Sequence, residues 1–275
     1  MPISDRRGAA RGKDAMPVIC ADGIVTRYAN YRENDRILSI FTIDYGRMDV
    51  KARGCRKPQS PLVNVCQPFV FGQFEIFSGK ERSVVNACEI KETFYPIRED
   101  YERFSIGSVM LRLTHDAAME NEPNKPLFSL LYHALSFLAY GTSAPKDLLC
   151  CFLVRYLNAT GYRPAITTCA QCGRDIRGDA IVRFLPRGGA ACSACSQYGE
   201  PISKTALEGM RRMLVMEDDE MDRVKLSDSV RKEILHHLSA YTSASLEYGM
   251  RALSILESNI VPPSTTPIEE GNSDA

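Results

Sequence analysis

The sequence predicts an α+β protein: a five-stranded N-terminal β-barrel, then an all-α domain with a four-cysteine zinc knuckle inserted in it. Three observations carry that prediction. Short alternating apolar runs crowd residues 17–92. Apolar residues at helical spacing take over after Pro96. Two C-x-x-C pairs then interrupt the helical pattern. The expected organisation is a disordered leader (1–16), the barrel (17–92), a first helical part (93–166), the knuckle (167–200), a second helical part (201–258) and a disordered tail (259–275).

Five runs make the expected barrel: VICADGIVTRY, RILSIFTI, RMDVKARG, PFVFGQFEIF and RSVVNACEI. Turn signals separate them at DYG (44–46), KPQSP (57–61) and SGKE (78–81). Five short strands over so few residues suit a barrel better than a sandwich. In the helical part, Leu127, Leu130, Leu131, Ala134, Leu135 and Leu138 share one helix face, and Gly141 stops it. A second helix starts with Ser143 as N-cap and Pro145 in its first turn. SKTALEGMRRMLVM makes a third, and a long segment from Ser227 to about Glu257 a fourth, with Ile234, Leu238, Tyr241, Ser245 and Tyr248 on its apolar stripe. The acidic run EDDEMD (217–222) reads as a solvated loop between helices.

Cys169, Cys172, Cys192 and Cys195 form C-x2-C-x19-C-x2-C, a spacing read as a zinc site. Each C-x-x-C turn sets two sulfurs on one side of a metal, and two turns close a tetrahedron. The small residues Ala170, Gly173, Ala191, Ser193 and Ala194 let backbone amides reach the sulfurs. Four thiolates fill the sphere, so the expected Zn²⁺ is one structural ion. The competing reading is a redox C-x-x-C, which normally sits in a βαβ unit that the pattern does not show.

RMDVKARGCRKPQS (47–60) is the strongest local charge asymmetry, with Arg47, Lys51, Arg53, Arg56 and Lys57 against Asp49. Alternation puts Arg47, Asp49, Lys51 and Arg53 on one strand face and Met48, Val50 and Ala52 on the core side. Such a ridge fits a phosphate backbone, with Tyr28, Tyr31 or Tyr45 nearby to stack bases. A solvated strand face is the equally available alternative.

Formal net charge is zero over 275 residues, so global charge points to no partner. The longest strongly apolar run, Leu148–Val154, is far short of the ~20 residues that span a bilayer. The 1–16 segment lacks the apolar core of a secretory signal. A soluble cytoplasmic protein is expected, with its remaining cysteines as buried thiols. Phosphate-loop, dinucleotide-loop and nucleophile-elbow motifs are missing from the sequence. His133 reads as a packed core residue and His115 as a helix end. His236 and His237 are adjacent, so on a helix they point about 100° apart and cannot chelate as an i, i+4 pair does. The residues assemble no nucleophile with a base, and the expected protein is not an enzyme.

From about residue 20 to 258 the chain resembles the RecO family of bacterial recombination mediators. The matching residues are Glu33, Thr42, Gly46, Arg47, Gly54, Arg56, Lys57, Ser60, Gln67, Pro68 and Phe69, then Phe152, Leu157, Gly161 and Tyr162, with the cysteines following in the expected place. The resemblance implies an N-terminal OB-fold, a helical domain and a zinc knuckle. It also implies a nucleoid-associated role in DNA repair and the RecF pathway of recombination. There the family binds single- and double-stranded DNA, anneals complementary strands, and works with RecR to load RecA onto strands coated by single-strand binding protein (SSB). No membrane or small-molecule substrate is implied. The family's basic residues beside Phe152, which help hold the acidic SSB tail, are replaced by Cys150, Cys151 and Leu153, leaving Arg155 as the nearest base. An RNA-binding protein of the same barrel type is the remaining alternative.

Overall fold

The computed structural model describes residues 18–78, 83–196 and 198–246. The expected leader and tail, and the expected helix beyond residue 246 with Tyr248, lie outside them.

The barrel is built from β1 (Val18–Tyr31), β2 (Asp35–Thr42), β3 (Gly46–Ala52), β4 (Phe71–Phe77) and β5 (Ser83–Glu92). The order is β1-β2-β3-β5-β4, closed back onto β1. All pairings are antiparallel except β3–β5, where Val50 faces Ser83 and Lys51 faces Val84. Alternation does what the sequence predicts: Val50 and Ala52 turn inward, while Asp49 and Arg53 turn out. The long connection between β3 and β4 plugs one barrel end with Cys55, Leu62, Val65, Cys66 and Val70, all buried against Val25, Leu38, Ile40, Phe74 and Ile76. Burial pushes the Cys66 thiol well above its usual range and raises Cys88 to about 12, so neither is a reactive thiolate.

The helices are α1 (Pro96–Glu99), α2 (Tyr101–Ala117), α3 (Lys125–Tyr140), α4 (Pro145–Ala159), α5 (Lys204–Val215) and α6 (Asp228–Ser245). Helix α2 has no clean apolar stripe in the sequence, because Ile106, Gly107, Val109, Met110, Leu111, Leu113, Thr114 and His115 are all buried. It lies between the barrel and the other helices and is covered on several sides. A side chain on Gly107 would meet the Phe69 ring at 2.9 Å, so this glycine lets α2 approach the barrel. Helix α4, with Cys150–Leu157 almost wholly buried, is the centre of the helical core. Phe41 and Phe71 of the barrel pack their rings on Phe128 of α3 at 5.6 and 6.2 Å, so one side of the barrel joins the helical core, while the barrel interior is a core of its own.

Four local expectations are corrected. Of the cysteines expected as buried thiols, Cys20 is exposed on β1 and Cys88 is only half-buried. Ser143 does not cap α4; Ala144 precedes Pro145 and offers no side-chain cap. The Ser143 hydroxyl instead donates to the carbonyls of Asp222 and Val224. The acidic run is not a solvated loop but a 3-10 turn (Asp218–Arg223) stitched to the helices. Its Asp222 carboxylate accepts from the Thr142 and Ser143 N–H groups, both at 2.8 Å, and Asp218 accepts from Ser129 at 2.6 Å. His133 is only half-buried, with Nδ1 2.9 Å from the Ser129 carbonyl. Among the described residues, no helix is long and apolar enough to cross a membrane.

Between α4 and α5 lies a small sheet of β6 (Val182–Leu185), β7 (Gly189–Cys192) and β8 (Glu200–Ile202), ordered β7-β6-β8. Val182, Phe184 and Ile202 turn their apolar side chains into the helical core.

Candidate metal centre and nucleic-acid interface

Cys169 and Cys172 lie in the turn before the sheet; Cys192 ends β7, and Cys195 lies in the turn after it. Their four sulfurs lie within 4.8 Å of one another, and all four are free thiols. A Zn–S bond of about 2.3 Å demands tetrahedral S–S edges of roughly 3.8 Å, which the 4.8 Å limit accommodates. Backbone amides reach the sulfurs as the small flanking residues suggest: the Cys192 N–H meets Cys169 Sγ at 3.4 Å. Burial raises the Cys169 thiol, but N–H donation from Cys172, Cys192 and Gln171 outweighs it and sets its pKa at about 6. Cys195, sharing hydrogen bonds with Cys172 and Cys192, goes the other way, to about 12. Gly173, at φ +75°, makes the tight return of the first knuckle. The group can hold a metal ion, and the thiolate donor set suits zinc.

The five basic residues of β3 and the loop after it meet different fates. Arg47 is drawn into the molecule. Its N–H donates to the Met119 carbonyl at 3.0 Å, its guanidinium donates to the His115 carbonyl at 3.2 Å, and it pairs with Glu120 at 3.1 Å. Lys51 pairs with Asp35 at 3.0 Å, both side chains largely covered, and its ammonium lies 4.8 Å from the centre of the Tyr31 ring. The N–H of Gly54 and the Lys51 ammonium together hold the Asp35 carboxyl below its usual range. Arg53, Arg56 and Lys57 are exposed, and no carboxylate of a described residue pairs with them. They lie in the loop after β3, which is fixed by two bonds: Gly54 N–H to Asp35 at 2.8 Å, and Arg56 N–H to the Asn34 carbonyl at 3.0 Å. Those bonds bring in exposed Arg32 of the β1–β2 turn, a cation that the strand pattern does not reveal. On the neighbouring face Tyr28 is 38% exposed, with the Arg36 guanidinium 4.1 Å from its ring centre. Tyr45 is exposed at the opposite, helix-facing end of β3.

Arg155, the nearest base to the substituted α4 positions, pairs with Asp218 at 2.5 Å and donates to the Met216 carbonyl. Cys150, Cys151 and Leu153 beside it are fully buried.

Two family descriptions cover most of this architecture. Recombination protein O N terminal matches residues 16–94, and Recombination protein O C terminal matches residues 98–253. The chain is 30% identical over 245 residues to the DNA repair protein RecO of Desulforamulus reducens, covering 88% of this chain and 95% of that one. It is 29% identical over 245 residues to the DNA repair protein RecO of Acetivibrio thermocellus, covering 88% and 97%. To that of Symbiobacterium thermophilum it is 30% identical over 247 residues, covering 88% and 98%.

Proposed function

The chain belongs to the RecO family of DNA repair proteins, and on that premise we propose that it is a non-catalytic mediator of recombination. It binds single- and double-stranded DNA, anneals complementary strands, and acts with RecR to load RecA onto SSB-coated strands in the nucleoid. The observation that carries this reading is the exposed group Arg53, Arg56 and Lys57, with Arg32 beside it, on one rim of a closed barrel, none of them paired with a carboxylate of a described residue. Phosphates of two strands meeting there lose part of their mutual repulsion, which lets bases pair. Arg47 and Lys51, equally basic in sequence, contribute through their fixed positions: one ties the strand to the helices, the other holds the loop. Tyr28 offers a ring face for a base.

Cys169, Cys172, Cys192 and Cys195 would hold one Zn²⁺, which would stiffen the knuckle as a structural ion. Arg155 is half-buried and held by Asp218, so it is poorly placed for the acidic tail of SSB. A groove between α5, the 3-10 turn and the start of α6 offers a substitute. Lys204, Arg212, Arg223 and Lys225 line it beside Met213 and Met216, with Arg212 paired to the lining Glu208 and Arg223 to Glu220, so Lys204 and Lys225 are the cations it offers.

The test is annealing of SSB-coated complementary strands at rising salt. The expected result is a steep loss of rate between 50 and 200 mM, on the order expected for several phosphate contacts. A rate unchanged across that range sinks the phosphate-neutralising mechanism. Equal competition by RNA and DNA oligomers would point to the RNA-binding alternative, and a reducible disulfide without metal would point to the thiol redox alternative.

A further inference from the structure

His236 and His237 leave α6 in different directions, as adjacent helical residues must. The structure nevertheless brings their donor atoms together, because Glu200 at the start of β8 lies over that part of the helix. One carboxylate oxygen of Glu200 and one ring nitrogen from each histidine all lie within 4.8 Å of one another. His236 Nε2 already shares a hydrogen bond with Glu200 Oε2. The two imidazole rings are 5.4 Å apart, inclined at 68°.

Had the cluster held only Glu200 and His236, an ion pair 65% and 61% exposed would be the whole account, and such pairs stabilise little. His237 changes that account. It is 5% exposed, its ring lies 5.3 Å from Phe184 of β6, and it meets the Pro201 backbone. Proline has no N–H, so that contact is to its carbonyl, the kind of partner that fixes the ring of a metal-bound imidazole. The nearby carboxylate of Glu233 is not a competitor. It accepts from the Ser203 N–H and hydroxyl, both at 2.6 Å, at the start of α5.

We propose that Glu200, His236 and His237 form a second divalent-metal site, which tacks the outer strand of the knuckle to α6. Two imidazoles and one carboxylate are the donor set of a borderline transition ion such as Zn²⁺ or Co²⁺, not of Mg²⁺ or Ca²⁺. Three protein donors leave a coordination position open for water or for a group from a partner. This site differs from the thiolate centre in chemistry and place: it draws on oxygen and nitrogen and bridges two elements.

The test uses the full-length protein, freed of loosely held metal and titrated with Zn²⁺ and separately with Co²⁺. His236→Gln and Glu200→Gln are compared with the unmodified chain; both positions are exposed, and thermal melts check that the fold is kept. The unmodified protein should take up one equivalent beyond any thiolate-bound metal. With Co²⁺ that equivalent should show weak ligand-field bands without the intense thiolate charge-transfer absorption. Each variant should bind it at least about tenfold more weakly while its thiolate signal stays. A millimolar excess of Mg²⁺ should not displace it. Uptake of no added equivalent, or uptake that survives both substitutions, overturns the proposal. Absence of the thiolate absorption would instead count against the knuckle metal and leave this site to be judged on its own bands.

Discussion

The barrel and the knuckle are both small β-structures, and they hold their shapes in opposite ways. Barrel strands enclose their own interior: Val25, Leu38, Ile40, Val50, Phe74 and Ile76 meet one another, and the strand order closes. Knuckle strands number three and enclose nothing. Their apolar side chains lean on the helices, and four sulfurs that can hold a metal ion gather at their tip. A closed sheet makes its own core, whereas an open one of three or four residues per strand needs a neighbour and a staple.

The largest test of that contrast is removal of the staple. Cys172→Ser should abolish tight metal binding, whose apparent free energy in small zinc modules is roughly 10–16 kcal/mol. Amide hydrogen exchange should then show loss of protection over 167–202 while barrel strands stay protected. Equal loss in both regions would erase the distinction. Next in size is Phe74→Ala, which empties the closed interior and should cost about 3–5 kcal/mol in denaturant melts. Here the barrel amides should yield, and the thiolate metal should stay bound.

A third test concerns the barrel rim. Arg53→Gln, Arg56→Gln and Lys57→Gln together should lower the salt slope of single-strand binding by about two, at roughly 0.7 per phosphate contact. Arg47→Gln should leave that slope nearly unchanged and instead loosen the barrel from the helices, read as a lower midpoint of unfolding. If Arg47→Gln flattened the slope as much as the triple change, the assignment of the rim would be wrong.

The smallest expected effect is on pH. Burial, then the charges of Arg47 and Arg27, lower the His115 pKa against the opposing pull of Asp116 and Asp49. A histidine with a depressed folded pKa contributes stability above its unfolded value, near 6.5, and loses it as pH falls toward the folded one. Urea midpoints should therefore drop between pH 7 and 5.5, and less so in His115→Gln. An equal drop in both would assign the acid sensitivity elsewhere.

Much of this was legible in the sequence, and what was not has a common cause. Barrel strands show because alternation is local, and the cysteine ligands because each pair spans four residues. Helix α2 hides because it is buried on several faces and carries no stripe. The division of the basic strand hides because the partner of Arg47, Glu120, is 73 residues away, and because the Arg32 turn meets the loop through backbone bonds. Arg155 looks free until Asp218, 63 residues on, folds back to it. His236 and His237 look divergent because Glu200, which joins them, arrives from another element.

One seven-residue strand, β3, ends in two unlike neighbourhoods. At Gly46, which has φ +65°, any side chain would run into the backbone of Glu122, and at Arg47 the chain is bolted to the α2–α3 connection. The other end opens on the cationic loop. A pull on that loop would therefore be passed along β3 to the helices, and loop and helices would move as handle and blade of one tool.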